Sequence, residues 1–70
     1  MFNQFDTFEL LVDLNPIIQK GMIGVILDIY ENGESFEVEF VKPDGTNFEY
    51  ETSLTFCLSK EMLKKYVITN

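Results

Sequence analysis

The stretch that most constrains this chain runs from Ile23 to Phe40, two apolar, β-branched runs hinged on Asn32-Gly33. An Asn-Gly pair adopts the positive φ angles of a two-residue type I′ turn without strain, and that turn matches the twist of the strands it joins. A two-residue loop also sets the register. Glu31 then faces Glu34, Tyr30 faces Ser35, Ile29 faces Phe36, Asp28 faces Glu37 and Leu27 faces Val38; further along, Ile26 faces Glu39 and Val25 faces Phe40. Phe36-Glu37-Val38-Glu39-Phe40 alternates strictly, so one side of this strand is oily and the other anionic.

A second reversal follows at Lys42-Pro43-Asp44-Gly45-Thr46. Proline suits the first central position of a type I turn, and glycine suits the left-handed residue that closes a three-residue bulged loop. This loop pairs Lys42 with Thr46, Phe40 with Phe48, Val38 with Tyr50 and Phe36 with Thr52, keeping the apolar residues together. A four-residue loop would set Phe40 against Glu49 and turn one strand's apolar set outward. Leu54, Phe56 and Leu58 extend the inward parity of this fourth strand. Upstream, Phe8, Leu10, Val12 and Leu14 share one parity of a first strand, which Asn15-Pro16 ends because proline cannot donate to a ladder. Downstream, Ser59 to Leu63 reads as a Ser-capped helical turn, with Tyr66 to Thr69 returning as a last strand; the alternative is one helix from Ser59 to about Tyr66.

Five short strands joined by hairpins, in 70 residues, predict an all-β single domain over residues 1–70, a small five-stranded SH3-like barrel with one short helical turn near the C-terminus. Closure would remove the exposed edges that an open sheet presents. An apolar content of 46% supports a small core and argues against disorder.

The charge balance is lopsided, with 12 acidic residues against 5 basic ones for a net charge of −7. All the cations are lysines, and the chain lacks Arg, His and Trp. These absences remove the imidazole base, the His metal ligand and the guanidinium clamp. An acidic chain is also repelled by phosphate backbones, so nucleic acid is not an expected partner. Neither is a membrane, because no apolar run approaches the roughly 20 residues that span a bilayer. Cys57 is the lone cysteine, so no internal disulfide forms. With no signal-peptide pattern at Met1 to Asp6, the expected location is the cytoplasm.

The segments Lys20-Gly21-Met22-Ile23-Gly24-Val25-Ile26, Ile29-Tyr30, Phe36-Glu37-Val38-Glu39-Phe40 and Asp44-Gly45, in that order and spacing, resemble the DUF4926 family of short bacterial proteins. The resemblance spans about Phe5 to Leu63, with Phe36 where the family has tyrosine. It implies a small SH3-like barrel and supplies no activity. The Gly21-x-x-Gly24-x-Ile26 segment is also similar to that of KOW-type barrels, which contact RNA or ribosomal partners; the acidic face here departs from them.

The expected register turns Asp28, Glu37, Glu39, Glu49 and Glu51 to the outside of the sheet, with Ile26, Tyr30 and Val41 among them. Like charges directly opposite each other destabilise a sheet, and a basic partner would relieve them. The expected function is therefore a non-enzymatic protein-interaction module that binds a basic partner through Asp28, Glu37, Glu39, Glu49, Glu51, Ile26 and Tyr30. An adaptor, antitoxin-like or immunity-like role fits that description. The alternatives are an accessory or regulatory subunit of a larger enzyme or nucleoprotein complex, or a self-associating structural protein in which Lys60, Lys64 and Lys65 meet the acidic face of a second copy as a weak homodimer. No catalytic residue, cofactor or metal site is expected: Gly21 and Gly24 are not followed by a lysine-serine pair, and Cys57 has no histidine to activate it.

Overall fold

The computed structural model describes residues 1–67. Five strands, β1 (Thr7–Leu10), β2 (Ile23–Tyr30), β3 (Ser35–Phe40), β4 (Phe56–Ser59) and β5 (Leu63–Lys65), form one antiparallel sheet in the order β4-β3-β2-β1-β5. The fold is all-β, as expected, and the helical pieces among the described residues are two short 3₁₀ turns at Glu31–Gly33 and Lys60–Met62. The sheet is not closed into a barrel: β4 and β5 end the strand order and do not pair.

The sheet nonetheless curls strongly. The Lys60–Met62 turn alone carries the chain from one end of the strand order to the other. At about 2 Å of rise per residue, a 3₁₀ turn of that length bridges only edges that lie close together. It is hydrogen-bonded to both sides, with Lys60 N–H donating to Glu34 O (3.0 Å) and Leu11 N–H donating to Met62 O (2.8 Å). Inside the curl, Phe8, Leu10, Ile18, Ile26, Phe36, Val38, Phe40, Leu58 and Leu63 form the buried core. The Phe8 and Phe40 rings meet edge to face at 5.5 Å.

The first reversal forms at Asn32-Gly33, but as a four-residue loop: Glu31 (φ 53°) joins the positive-φ residues and Glu34 is helical, so the expected Glu31–Glu34 pair is not in the ladder. Asn32 (φ 56°, ψ 36°) and Gly33 (φ 92°) occupy the two central positions, and Glu34 N–H donates to Glu31 O at 3.2 Å. Tyr30–Ser35, Ile29–Phe36 and Asp28–Glu37 pair as read from the sequence. Beyond them a bulge at Leu27 shifts the register by one, giving Ile26–Val38, Val25–Glu39 and Gly24–Phe40. The N-terminal segment accounts for the shift. Phe5 N–H donates to Ile26 O (2.7 Å), Ile26 N–H donates to Asp6 O (3.0 Å), and the Gln4 side-chain amide donates to the Leu27 carbonyl (3.0 Å). The main-chain groups around the bulge are thereby satisfied, and Ile26 turns into the core.

The second reversal also forms: Lys42 N–H donates to Thr46 O (2.7 Å), Phe48 N–H donates to Phe40 O (2.8 Å), and Val41 bridges Asn47. Past Phe48 the chain departs from the expected strand. Glu51 (φ 48°) and Thr52 (φ 67°) make another tight turn, closed by two hydrogen bonds between Tyr50 and Ser53. The place beside β3 expected for Tyr50 and Thr52 goes instead to β4, with Phe56 opposite Val38 and Leu58 opposite Phe36. Two alignments of equal parity compete for that edge. Burying Leu58 stabilises by about 1.5–3 kcal/mol, whereas Thr52 offers little apolar surface. The observed choice also sets Cys57, rather than Glu51, opposite Glu37, avoiding a like-charge pair of a few tenths of a kcal/mol. Leu54, expected to point inward, is exposed. At the C-terminus a turn and then a strand form, rather than one helix, but Ser59 makes no side-chain cap and the strand lies earlier than expected, at Leu63–Lys65 directly after the turn. Tyr66 and Val67 lie outside any strand, and the remainder of the expected Tyr66–Thr69 strand lies outside the described residues.

Candidate partner-binding face

Opposite the core, β2 and β3 present an outer face whose residues follow from the register. Asp28 stands directly across from Glu37, and Glu37 is flanked on its other side by Cys57. Tyr30 reaches back along β2, and its hydroxyl donates to Glu37 Oε1 at 2.7 Å. That bond, with the neighbouring carboxylates, pushes the Tyr30 hydroxyl up to about 12, because ionising it would remove the donor and add a negative charge beside Glu37. Glu39 pairs across to Val25 and accepts a hydrogen bond from the Asn47 side-chain amide (2.7 Å). Asn47 is held in place by its bridge to Val41 in the second reversal.

Four of the seven expected site residues, Asp28, Tyr30, Glu37 and Glu39, therefore share one face. The other three do not. Ile26 is fully buried, because the bulge at Leu27 exchanges it with Val25 on the outside. Glu49 is exposed but lies beyond the last contact of its segment with β3, so it does not stand across from Glu39. Glu51 sits in the Tyr50–Ser53 turn, where its positive φ takes it off the sheet altogether. Val41 is exposed as expected. Val25 and Asn47 were not foreseen as members of the face; the alternation of β3 alone carries no sign of a bulge in β2 that would bring Val25 out.

The lysines lie elsewhere. Lys60 Nζ pairs with Glu34 at 2.8 Å and Lys65 Nζ with Asp6 at 3.6 Å, the two salt bridges among the described residues. Lys64 faces Glu9 across β5 and β1, and Lys42 Nζ lies 5.4 Å over the Phe48 ring. The carboxylates of Asp28, Glu37 and Glu39 thus have no lysine partner among the described residues. Cys57 is exposed on the same face, with its sulfur 3.7 Å from the Ser35 hydroxyl. A cleft of about 360 Å³ lies apart from this face, lined by Met1, Phe2, Asn32, Gly33, Glu34 and Lys60. Among the described residues, no three Cys, Asp or Glu side chains converge as a metal ion would require.

Residues 4–55 match the family described as domain of unknown function DUF4926. Neither the curated proteins nor the solved structures contain a match to this chain.

Proposed function

The chain belongs to the DUF4926 family, and from the outer face of its sheet we propose that it is a non-enzymatic protein-interaction module for a basic partner protein. The observation that carries this reading is the Asp28–Glu37 pair: two carboxylates directly opposed across neighbouring strands, with neither met by a lysine of the same molecule. Directly opposed like charges cost a sheet a few tenths of a kcal/mol, a cost that a Lys or Arg from a partner removes. The rest of the face suits such a contact. Tyr30 holds the Glu37 carboxylate in one orientation, Asn47 holds Glu39, and Val25 supplies apolar surface across from Glu39. Aromatic side chains set among acidic groups make favourable centres for interfaces. The net charge of −7 adds long-range steering toward a basic surface.

An antitoxin-like or immunity-like role, in which the face masks a basic surface, is the form of this proposal that best suits a small acidic chain without His or Arg. The proposed compartment is the cytoplasm, where the exposed Cys57 thiol stays reduced. The test is capture from a lysate of the source organism with wild type and with the Asp28→Lys, Glu37→Lys double variant, followed by mass spectrometry. Basic proteins retained by wild type and lost from the variant are expected, with the variant's melting temperature unchanged or raised. Equal capture by the two proteins refutes the assignment of the face.

A further inference from the structure

The two ends of the sheet are guarded differently. β5 carries Lys64 and Lys65, and lysines on an edge strand discourage another chain from pairing with it. β4 has β3 as its single strand neighbour and carries no such guard. From Ser53 through Ser59 the sequence reads Ser-Leu-Thr-Phe-Cys-Leu-Ser, without a charge, a proline or a glycine. Leu54, Thr55 and Cys57 are exposed along it. An antiparallel strand with one neighbour directs alternate N–H and C=O groups away from that neighbour, and those groups form a template for a further strand.

Building on the basic-partner reading above, we propose that β4 is the docking edge, and that its occupant is an extended segment of a basic protein that adds to the sheet as a sixth strand. Charge selects this occupant. Asp28, Glu37 and Cys57 form one row across β2, β3 and β4 on the outer face. An added strand places its next outward residue at the end of that row. With strands about 4.8 Å apart, its Cα lies roughly 10 Å from that of Glu37. The short Cys57 side chain leaves the intervening space low, so a Lys or Arg side chain can lie across it to the Glu37 carboxylate. Tyr30 already fixes Oε1 of that carboxylate. The inward-pointing residues of the same segment meet half-buried Phe56 and exposed Leu54. The preferred segment therefore alternates basic and apolar residues. A second copy is the poorer occupant, since it brings another −7 of net charge to the contact.

The experiment is an amide-resolved NMR titration of the full chain with a short synthetic peptide alternating lysine and valine. The same peptide N-methylated along one main-chain edge and a glutamate–valine analogue serve as comparisons. Expected are slowed amide exchange within residues 56–59, cross-strand contacts from the peptide to β4, binding roughly tenfold weaker for the N-methylated peptide, and weaker binding still for the glutamate analogue. Shifts confined to Tyr30, Glu37 and Glu39, with N-methylation without effect, overturn strand addition while leaving the basic-partner reading intact. Equal binding of the glutamate analogue overturns the basic occupant. Protection of β4 that rises with protein concentration in the absence of peptide assigns the edge to a second copy and likewise overturns it. Absence of binding by every peptide overturns the proposal, and the capture experiment above then decides the basic-partner reading separately.

Discussion

Gly24 sits where β2 passes close to the Phe8 ring and to the main chain of β3. A β-carbon added there would lie 2.5 Å from Phe8 Cζ, 2.8 Å from Phe8 Cε1 and 2.7 Å from the main-chain oxygen of Glu39. The Phe8 ring is fully buried against Phe40 and cannot swing aside freely, and the Glu39 oxygen moves only if β3 moves. Gly24→Ala should therefore force β2 and β3 apart. Overpacking of this kind costs about 1–3 kcal/mol, set against the 0.4–1 kcal/mol that Gly→Ala returns by stiffening the unfolded chain. A net loss of about 1–2 kcal/mol lowers the melting temperature of a chain this size by roughly 5–15 °C. Gly33→Ala serves as a comparison, since its β-carbon meets nothing within 4 Å and its cost comes from φ 92° alone. Urea unfolding followed by tyrosine fluorescence or circular dichroism measures both. Trimming the obstructing ring in Gly24→Ala, Phe8→Leu should recover part of the loss, giving a non-additive pair. A Gly24→Ala protein as stable as wild type, or a strictly additive double variant, would refute the close approach of β2 to Phe8 and Glu39.

Other expectations follow from the same geometry. Ile26→Ala should destabilise by about 2–5 kcal/mol because the bulge buries Ile26, while Glu49→Ala at its exposed site should stay within about 0.5 kcal/mol; comparable small losses for the two in denaturant unfolding would restore the unbulged register. The Tyr30 hydroxyl, raised to about 12 mainly by its bond to Glu37, should titrate nearer its ordinary value in Glu37→Gln, read from its ring resonances; an unmoved midpoint would remove Glu37 as the cause. Because the folded value lies above the unfolded one, the stability tied to Tyr30 is fully present below about pH 10 and is lost as pH rises toward 12. Asp44 is held below the usual carboxylate range by the Thr46 hydroxyl and amide. Its contribution is thus present above the unfolded value and disappears as pH falls through the folded one, a loss in acid that Asp44→Ala should abolish in pH-dependent melting curves.

Local features of the fold were legible where neighbouring residues decide the structure. Asn32-Gly33 specifies positive φ by its own preferences, and the Tyr30–Ser35, Ile29–Phe36 and Asp28–Glu37 pairs follow, although the expected Glu31–Glu34 pair is taken up by the loop. The three-residue loop at Pro43-Asp44-Gly45 is likewise local: Asp44 accepts from Thr46 within the loop, and Gly45 takes φ 91°. The alternation of β3 announces its buried side, which is why Glu37 and Glu39 emerge where expected. What escaped was competition between distant segments. Glu49 and Glu51 have the right parity for the outer face, but Phe56 and Leu58 claim the same edge of β3 and bury more apolar surface there.

Residue order alone thus determined where the chain reverses at Asn32-Gly33 and Pro43-Asp44-Gly45, the sidedness of β3, the all-β class and the acidic surface, because each depends on backbone preference or on composition. Tertiary structure decided which strand lies beside β3, whether Ile26 or Val25 faces out, and whether the sheet closes. Those outcomes turn on contacts between residues far apart in sequence. Gln4 and Asp6 satisfy main-chain groups around a bulge more than 20 positions away, and the Lys60–Met62 turn holds the two sheet ends near each other without pairing them. A pattern of period two records which residues can share a side, while the free energy of packing selects among the alignments that respect it.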